Sequence, residues 1–158
     1  MSDRQPMTLA GKEKLETELK RLISVERPDV IRAIEEARSH GDLSENADYD
    51  AAKERQAFVE SRISDIQNKI ANAEVVDIAS IKSDTITFGA TVDLLDLDSD
   101  EKVTYQIVGE DEADVKQGRI SIFSPLARSL IGKKKSDVVE FRSPKGEKEF
   151  EVLNFSFK

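Results

Sequence analysis

Residues 37–49 read Ala37-Arg38-Ser39-His40-Gly41-Asp42-Leu43-Ser44-Glu45-Asn46-Ala47-Asp48-Tyr49. This stretch interrupts a helical pattern that otherwise runs from Thr8 to about Asp77, and the interruption decides the fold of the N-terminal half. Gly41 is the only glycine between Gly11 and Gly89. It supplies the permissive backbone that a tight reversal needs. Upstream, Leu15, Leu19, Leu22 and Ile23 fall at i, i+4, i+7 and i+8, one face of a helix. Thr8 fits an N-cap before Leu9. Pro28 breaks the hydrogen-bond ladder locally. The stripe resumes at Val30, Ile31, Ile34 and Ala37, so the sequence predicts a kink or short restart and no domain boundary. Downstream, Ser44 fits an N-cap. Ala52, Val59, Ile63, Ile66, Ile70 and Ala73 then follow at spacings of 7, 4, 3, 4 and 3, the coiled-coil period. Each helix must bury its stripe, and the nearest stripe is its neighbour's. An antiparallel hairpin follows. Arms of roughly 30 residues would span about 45 Å, with Gly41 near the tip.

From Asp84 onward the period changes to that of strands. Residues 85–94 are rich in β-branched side chains, and residues 103–108 alternate apolar and polar. Residues 119–124 read as a third strand. Pro125 at the first turn and Gly132 past the end mark a short helix over residues 125–131. Residues 138–141 and 149–153 flank Pro144-Lys145-Gly146-Glu147, a hairpin. The fold class is α+β. A coiled-coil hairpin over residues 1–76 precedes a small α+β domain over residues 77–158, joined at residues 75–83.

The chain has 158 residues, 32 acidic and 24 basic, and a net charge of −8. Residues 1–76 and 77–158 each carry 12 basic and 16 acidic residues. Such a balance excludes nucleic-acid binding by bulk charge, which relies on clustered Lys and Arg. The absence of cysteine excludes disulfides and thiolate chemistry. His40 is the only histidine, so multi-histidine metal sites are excluded as well. There is no Trp. The first residues lack the apolar stretch of a signal peptide, and no 18-residue apolar run occurs. A cytoplasmic protein without a membrane role is expected.

The turn region is acidic, with Asp42, Glu45, Asp48 and Asp50 in close succession. Acids at the first turn of a helix complement its dipole, which accounts for Glu45 and Asp48 without any function. A second reading is open. Asp42 and Glu45 are three residues apart and can present two carboxylates off one side of the tip. Mg²⁺ is usually held by one or two carboxylates together with phosphates and waters. Such a tip would complete a metal site belonging to another molecule.

Residues 37–49 resemble the tip signature of the bacterial Gre transcript-cleavage factors, most closely the GreA branch. Further matching blocks are Pro6-Met7-Thr8-Leu9, residues 86–92, residues 108–114 and residues 121–133. The resemblance implies an FKBP-like fold for the second domain. It implies an accessory factor, not itself an enzyme, that binds bacterial RNA polymerase and inserts its coiled coil through the secondary channel. There it stimulates the polymerase's own cleavage of backtracked RNA. By the same resemblance, Asp42 and Glu45 help the polymerase hold its second Mg²⁺, with no tight metal binding by the isolated chain. Arg38 and Lys53 form a basic patch toward the extruded RNA 3′ end. Ser124 and Pro125 belong to the polymerase-docking segment. A monomer is expected.

Asp50 and Ser44 stand where many relatives carry His and Lys, and Phe123 where relatives often have Asp or Asn. Arg55 reads as a solvated cation pairing with Glu35, Glu36 or Asp50, and His40 as a turn residue. Leu126, Leu130 and Ile131 read as core. Three alternatives are open. A non-cleaving channel regulator gives no use for the paired acids. A prolyl isomerase needs an aromatic-lined pocket, and Tyr105 is the only tyrosine in the second domain. A coiled-coil chaperone explains the hairpin but not the tip.

Overall fold

Thr8 begins the first helix as its residue type suggests, with its Oγ1 accepting the Gly11 N–H at 3.0 Å. Helix α1 spans Leu9–Arg21. The computed structural model describes residues 4–41 and 46–158. Helix α1 is followed by one π-helical turn, Leu22–Glu26, and by α2, Arg27–Arg38. The π turn sits just before Pro28 and closes through Arg27 N–H to the Leu22 carbonyl. Pro28 has no N–H, and its ring crowds the carbonyl four residues earlier, so a wider turn relieves the ladder there. The backbone stays right-handed helical on both sides at Arg21 and Arg27. The expected kink is therefore an insertion of one residue. The buried stripe shows it: Leu15 to Leu22 is seven, Leu22 to Val30 is eight, and Ile34 and Ala37 then follow at four and three. Ile23 and Ile31, expected on the stripe, are 40% and 43% exposed. The shifted phase turns them outward.

Helix α3, Ala47–Ala71, returns along α2. Buried Ala52, Val59, Ile63 and Ile66 face Leu22, Val30, Ile34 and Ala37 in number and character, while Ile70 is half-buried. Charged pairs flank this seam. Arg27 donates two bonds to Glu60, at 2.8 and 2.7 Å. Arg62 donates two to Glu18, at 2.5 and 2.9 Å. Arg55 meets Glu26 at 2.7 Å. Glu18, earlier on the first arm than Glu26 and Arg27, pairs later on the second arm, as the antiparallel arrangement requires. Arg55 pairs as a solvated cation, but its acid is Glu26 and not Glu35, Glu36 or Asp50.

By internal contacts the chain divides into Lys12–Ala73 and a second unit made of Glu74–Lys158 and the described residues before Lys12. The N-terminal segment therefore lies with the sheet domain, not with the hairpin as the 1–76 reading had it. Its strand β1, Gln5–Thr8, pairs with β2, Ala73–Val76. Both are too short to show a strand pattern, and β2 continues the helical run. Glu112 secures the segment. Its carboxylate accepts the Thr8 and Gly109 N–H groups, each at 3.0 Å, and the Thr8 hydroxyl.

The main sheet has the order β5-β4-β3-β7-β6. Its strands are β3, Thr91–Asp96, β4, Lys102–Val108, β5, Arg119–Ser121, β6, Val138–Ser143, and β7, Gly146–Ser156. β4 and β5 are parallel, and the other neighbours antiparallel. The expected strand over residues 85–94 starts only at Thr91. Gly89 lies at φ +90°, and Ala90 N–H closes a turn onto Thr87 O. A Cβ at Gly89 would approach Ile78 to 2.8 Å. Ile86 instead pairs with Gly132 and Lys133 backbone groups. Helix α4, Pro125–Leu130, lays Leu126, Ala127 and Leu130 on a core of Val92, Leu94, Ile107, Val139, Phe150 and Val152. Ile131, expected in that core, is 38% exposed because α4 ends before it. Asp96 is buried, and the N–H groups of Asp98 and Ser99 together with Lys148 hold its carboxyl below the ordinary range. Among the described residues no helix is long and apolar enough to cross a membrane.

Two outcomes follow from this packing. Leu94→Ala should destabilise the sheet domain by about 2–5 kcal/mol in a urea titration followed by circular dichroism. The Arg62 hydrogen bond, ahead of the opposing cost of burial, lowers the Glu18 pKa from its ordinary 4.5. A depressed carboxylate contributes stability that is present above the unfolded value and lost as pH falls through the folded one. The pair is part-exposed, so the effect is small and salt-screened. The thermal midpoint of the hairpin should drop as pH is taken below about 4.5, and Arg62→Ala should flatten that drop.

Candidate functional site

The last turn of α2 leaves carbonyls without helical partners, and the first turn of α3 leaves N–H groups. Asn46 answers both. Its Oδ1 accepts the Tyr49 N–H at 3.0 Å and its Nδ2 donates to the Ala37 carbonyl at 2.6 Å. One side chain thus caps α3 and ties it to the end of α2. The N-cap is Asn46 and not Ser44, which lies outside the described residues. Asn directly before a helical run is among the strongest capping signals, and Asp48 and Asp50 in the first turn of α3 fit the dipole. That signal was available in the sequence. Gly41 takes φ +105°, and its N–H bonds to the Arg38 carbonyl at 3.3 Å.

Arg38 ends α2, with its guanidinium 6.0 Å from the centroid of the Tyr49 ring, a cation–π contact. Tyr49 and Lys53 are four apart on α3, so they stand one above the other on one face. The structure thereby brings Arg38 and Lys53 to one side of the hairpin. Neither meets a carboxylate among the described residues, since Lys53 donates to Gln56 at 3.1 Å. Among the described residues, these two cations near the turn of an acidic hairpin meet no carboxylate. Tyr49, which organises them, has no signature of its own in the sequence. His40 is exposed, with Nδ1 3.9 Å from Asp48, and belongs to the turn.

Asp42 and Glu45, the tip acids, lie outside the described residues. In sequence they fall between Arg38, the last residue of α2, and Ala47, the first of α3. Among the described residues no group of three or more His, Cys, Asp or Glu is placed to hold a metal ion.

In the sheet domain Ser124 is the N-cap of α4. Its Oγ accepts the Ala127 N–H at 3.2 Å and donates to the Ser121 carbonyl at 2.7 Å. Pro125 occupies the first turn and is exposed. Phe123 beside them is 42% exposed, so it is no core residue.

The comparisons with known proteins cover both parts of the chain. Residues 5–75 match the family model described as transcription elongation factor, N-terminal, and residues 81–157 that described as transcription elongation factor, GreA/GreB, C-terminal. The transcription elongation factor GreA of Trichlorobacter lovleyi is 54% identical, with all of both chains covered. That of Rhodospirillum rubrum is 57% identical over 96% of this chain and 97% of its own. The crystal structure of GreA factor homolog 1 of Thermus thermophilus is 28% identical, covering 96% of this chain and 98% of that one, with a TM-score of 0.45.

The double role of Asn46 sets an expected outcome. Asn46→Ala loses the cap and the cross-arm bond and should cost the hairpin about 1–3 kcal/mol. Asn46→Asp keeps the acceptor for Tyr49 but loses the donor to Ala37, and should cost less. Thermal unfolding followed by circular dichroism at the helix band checks both.

Proposed function

This chain belongs to the GreA/GreB family of transcription elongation factors, and on that premise we propose that it stimulates RNA polymerase to cleave backtracked nascent RNA. The hairpin enters the polymerase through its secondary channel and reaches the active site from outside. The chain is an accessory factor in the cytoplasm and carries no nuclease activity of its own. The observation that carries this reading is the position of Asp42 and Glu45 in a chain that matches the family over both halves. They are the acids of the segment that joins two antiparallel helical arms.

The carboxylates of Asp42 and Glu45 supply oxygen ligands toward a Mg²⁺ of the polymerase, consistent with that ion's preference for few carboxylates. When bound, the metal pair activates water and stabilises the leaving oxygen of phosphodiester hydrolysis. Two carboxylates alone make a weak site, so metal is retained only within the complex. Arg38 and Lys53 lie behind the tip on one side, without acidic partners among the described residues. They are suited to phosphates of the extruded RNA 3′ end. Ser124 and Pro125 belong to the surface that docks on the polymerase, and the chain acts as a monomer.

The test is a backtracked polymerase complex with labelled RNA and Mg²⁺. Asp42→Ala and Glu45→Ala should each abolish stimulated cleavage while binding to polymerase survives. Arg38→Ala and Lys53→Ala should raise the concentration needed for cleavage. Normal cleavage by both acid variants would sink the metal role.

A further inference from the structure

Six arginines stand between Lys12 and Ala73. Among the described residues five of them, Arg21, Arg27, Arg32, Arg55 and Arg62, meet carboxylates. Arg38 is the exception. Glu35 stands three residues before it on α2, a spacing that allows a helical ion pair. Arg38 takes an aromatic ring instead, with its guanidinium carbon 6.0 Å from the centroid of Tyr49. Tyr49 is on the other arm, so the contact crosses the hairpin.

The two kinds of anchor leave a guanidinium with different chemistry. A carboxylate cancels its charge and occupies up to two of its N–H donors at once. Arg27 gives two to Glu60 and Arg62 two to Glu18 in this way. An aromatic face holds the cation through the ring quadrupole and takes no N–H donor. Arg38 is thereby fixed in place while its charge and its donor fork remain available, and that fork matches a phosphate bidentately. The ring is itself held. Tyr49 is half-buried, and its N–H donates to Asn46 Oδ1 at 3.0 Å. Asn46 in turn donates to the carbonyl of Ala37, the neighbour of Arg38, at 2.6 Å. Lys53, one turn along the same face of α3, rests on the neutral amide of Gln56 at 3.1 Å. Both cations on this side are held by neutral partners.

We propose that Tyr49 is a positioning residue, whose ring holds the Arg38 guanidinium with its N–H donors free for a phosphate of the extruded RNA. This rests on the reading above that Arg38 faces that RNA. Tyr49 acts through Arg38 and touches neither the phosphate nor the reacting atoms. Its phenol oxygen plays no part, so the aromatic face alone is required. Holding the guanidinium in advance lowers the ordering cost of the phosphate contact.

The experiment measures affinity of the full chain for two polymerase complexes, one backtracked with an extruded RNA 3′ end and one without extruded RNA. Tyr49→Leu should weaken binding to the backtracked complex about two- to fivefold and leave the other unchanged. Tyr49→Gln, which puts a good helix former at the same place, should do the same. Tyr49→Phe keeps the ring and should bind both complexes like the unaltered chain. With Arg38→Ala already present, Tyr49→Leu should add no further loss. A further loss there would make the ring a direct RNA contact and overturn the positioning role. Equal weakening toward both complexes would also overturn it, by showing a general effect on the hairpin. So would full affinity of the Leu and Gln variants, or a loss with Tyr49→Phe as large as with Tyr49→Leu. Each of these results leaves the proposed function standing. No stimulated cleavage by the unaltered chain overturns both.

Discussion

The hairpin rests on one apolar seam, in which Leu22, Val30, Ile34 and Ala37 on one arm are covered by Ala52, Val59, Ile63 and Ile66 on the other. Neither stripe has another place to go. Helices of this composition are marginal alone in water, so their helicity depends on the seam. The π turn at Leu22–Glu26 is best understood in the same terms. Without an inserted residue the proline would strain the ladder, and the stripe beyond it would keep the phase of Leu15 and Leu22. With the insertion, Val30 and not Asp29 faces α3. The salt bridges beside the seam fix register more than they add stability, because most are half-exposed.

At the turn end of the hairpin, one amide and one aromatic ring tie the two arms together. Asn46 satisfies an orphan donor of α3 and gives the Ala37 carbonyl of α2, which also accepts the His40 N–H, a second bond with the same amide. Arg38 settles on the Tyr49 ring and not on a carboxylate, so its charge is uncancelled among the described residues. The arms are thereby joined on either side of a short acidic segment. In the sheet domain Glu112 does comparable work. It gathers Thr8, Gly109 and the N-terminal strand around one carboxylate. A chain with many more acids than bases spends several of them on backbone N–H groups, as Asp96 does in the β3–β4 turn.

Legibility followed the range of the interactions. The seam, the Thr8 cap, the β6–β7 hairpin and the Pro125 start of α4 are local patterns of period or residue type, and they stand where the sequence puts them. The departures come from contacts a linear reading does not contain. Residues 85–90 have strand composition, yet the positive φ of Gly89 and the packing of Ile78 against it hold them out of the sheet. Ile23, Ile31 and Ile131 are apolar and sit at the expected spacing or beside the core. The π turn exposes the first two, and the end of α4 exposes the third. A linear reading places the N-terminal segment with the hairpin, because nothing nearby betrays Glu112, 104 residues away from Thr8.

The sequence by itself determined the two periods, the antiparallel hairpin, the α+β class, the family signature and the position of Asp42 and Glu45 between the arms. Each is written in spacing or in a short run of residue types, because local sterics and amphipathic burial read the chain a few residues at a time. Only the tertiary structure decided the strand order, the docking of residues 4–11 on the sheet domain, the double role of Asn46 and the one-sided placement of Arg38 and Lys53. It also decided which cations lack acidic neighbours among the described residues. These depend on groups far apart in sequence meeting in space, where burial and charge pairing are settled by three-dimensional neighbours.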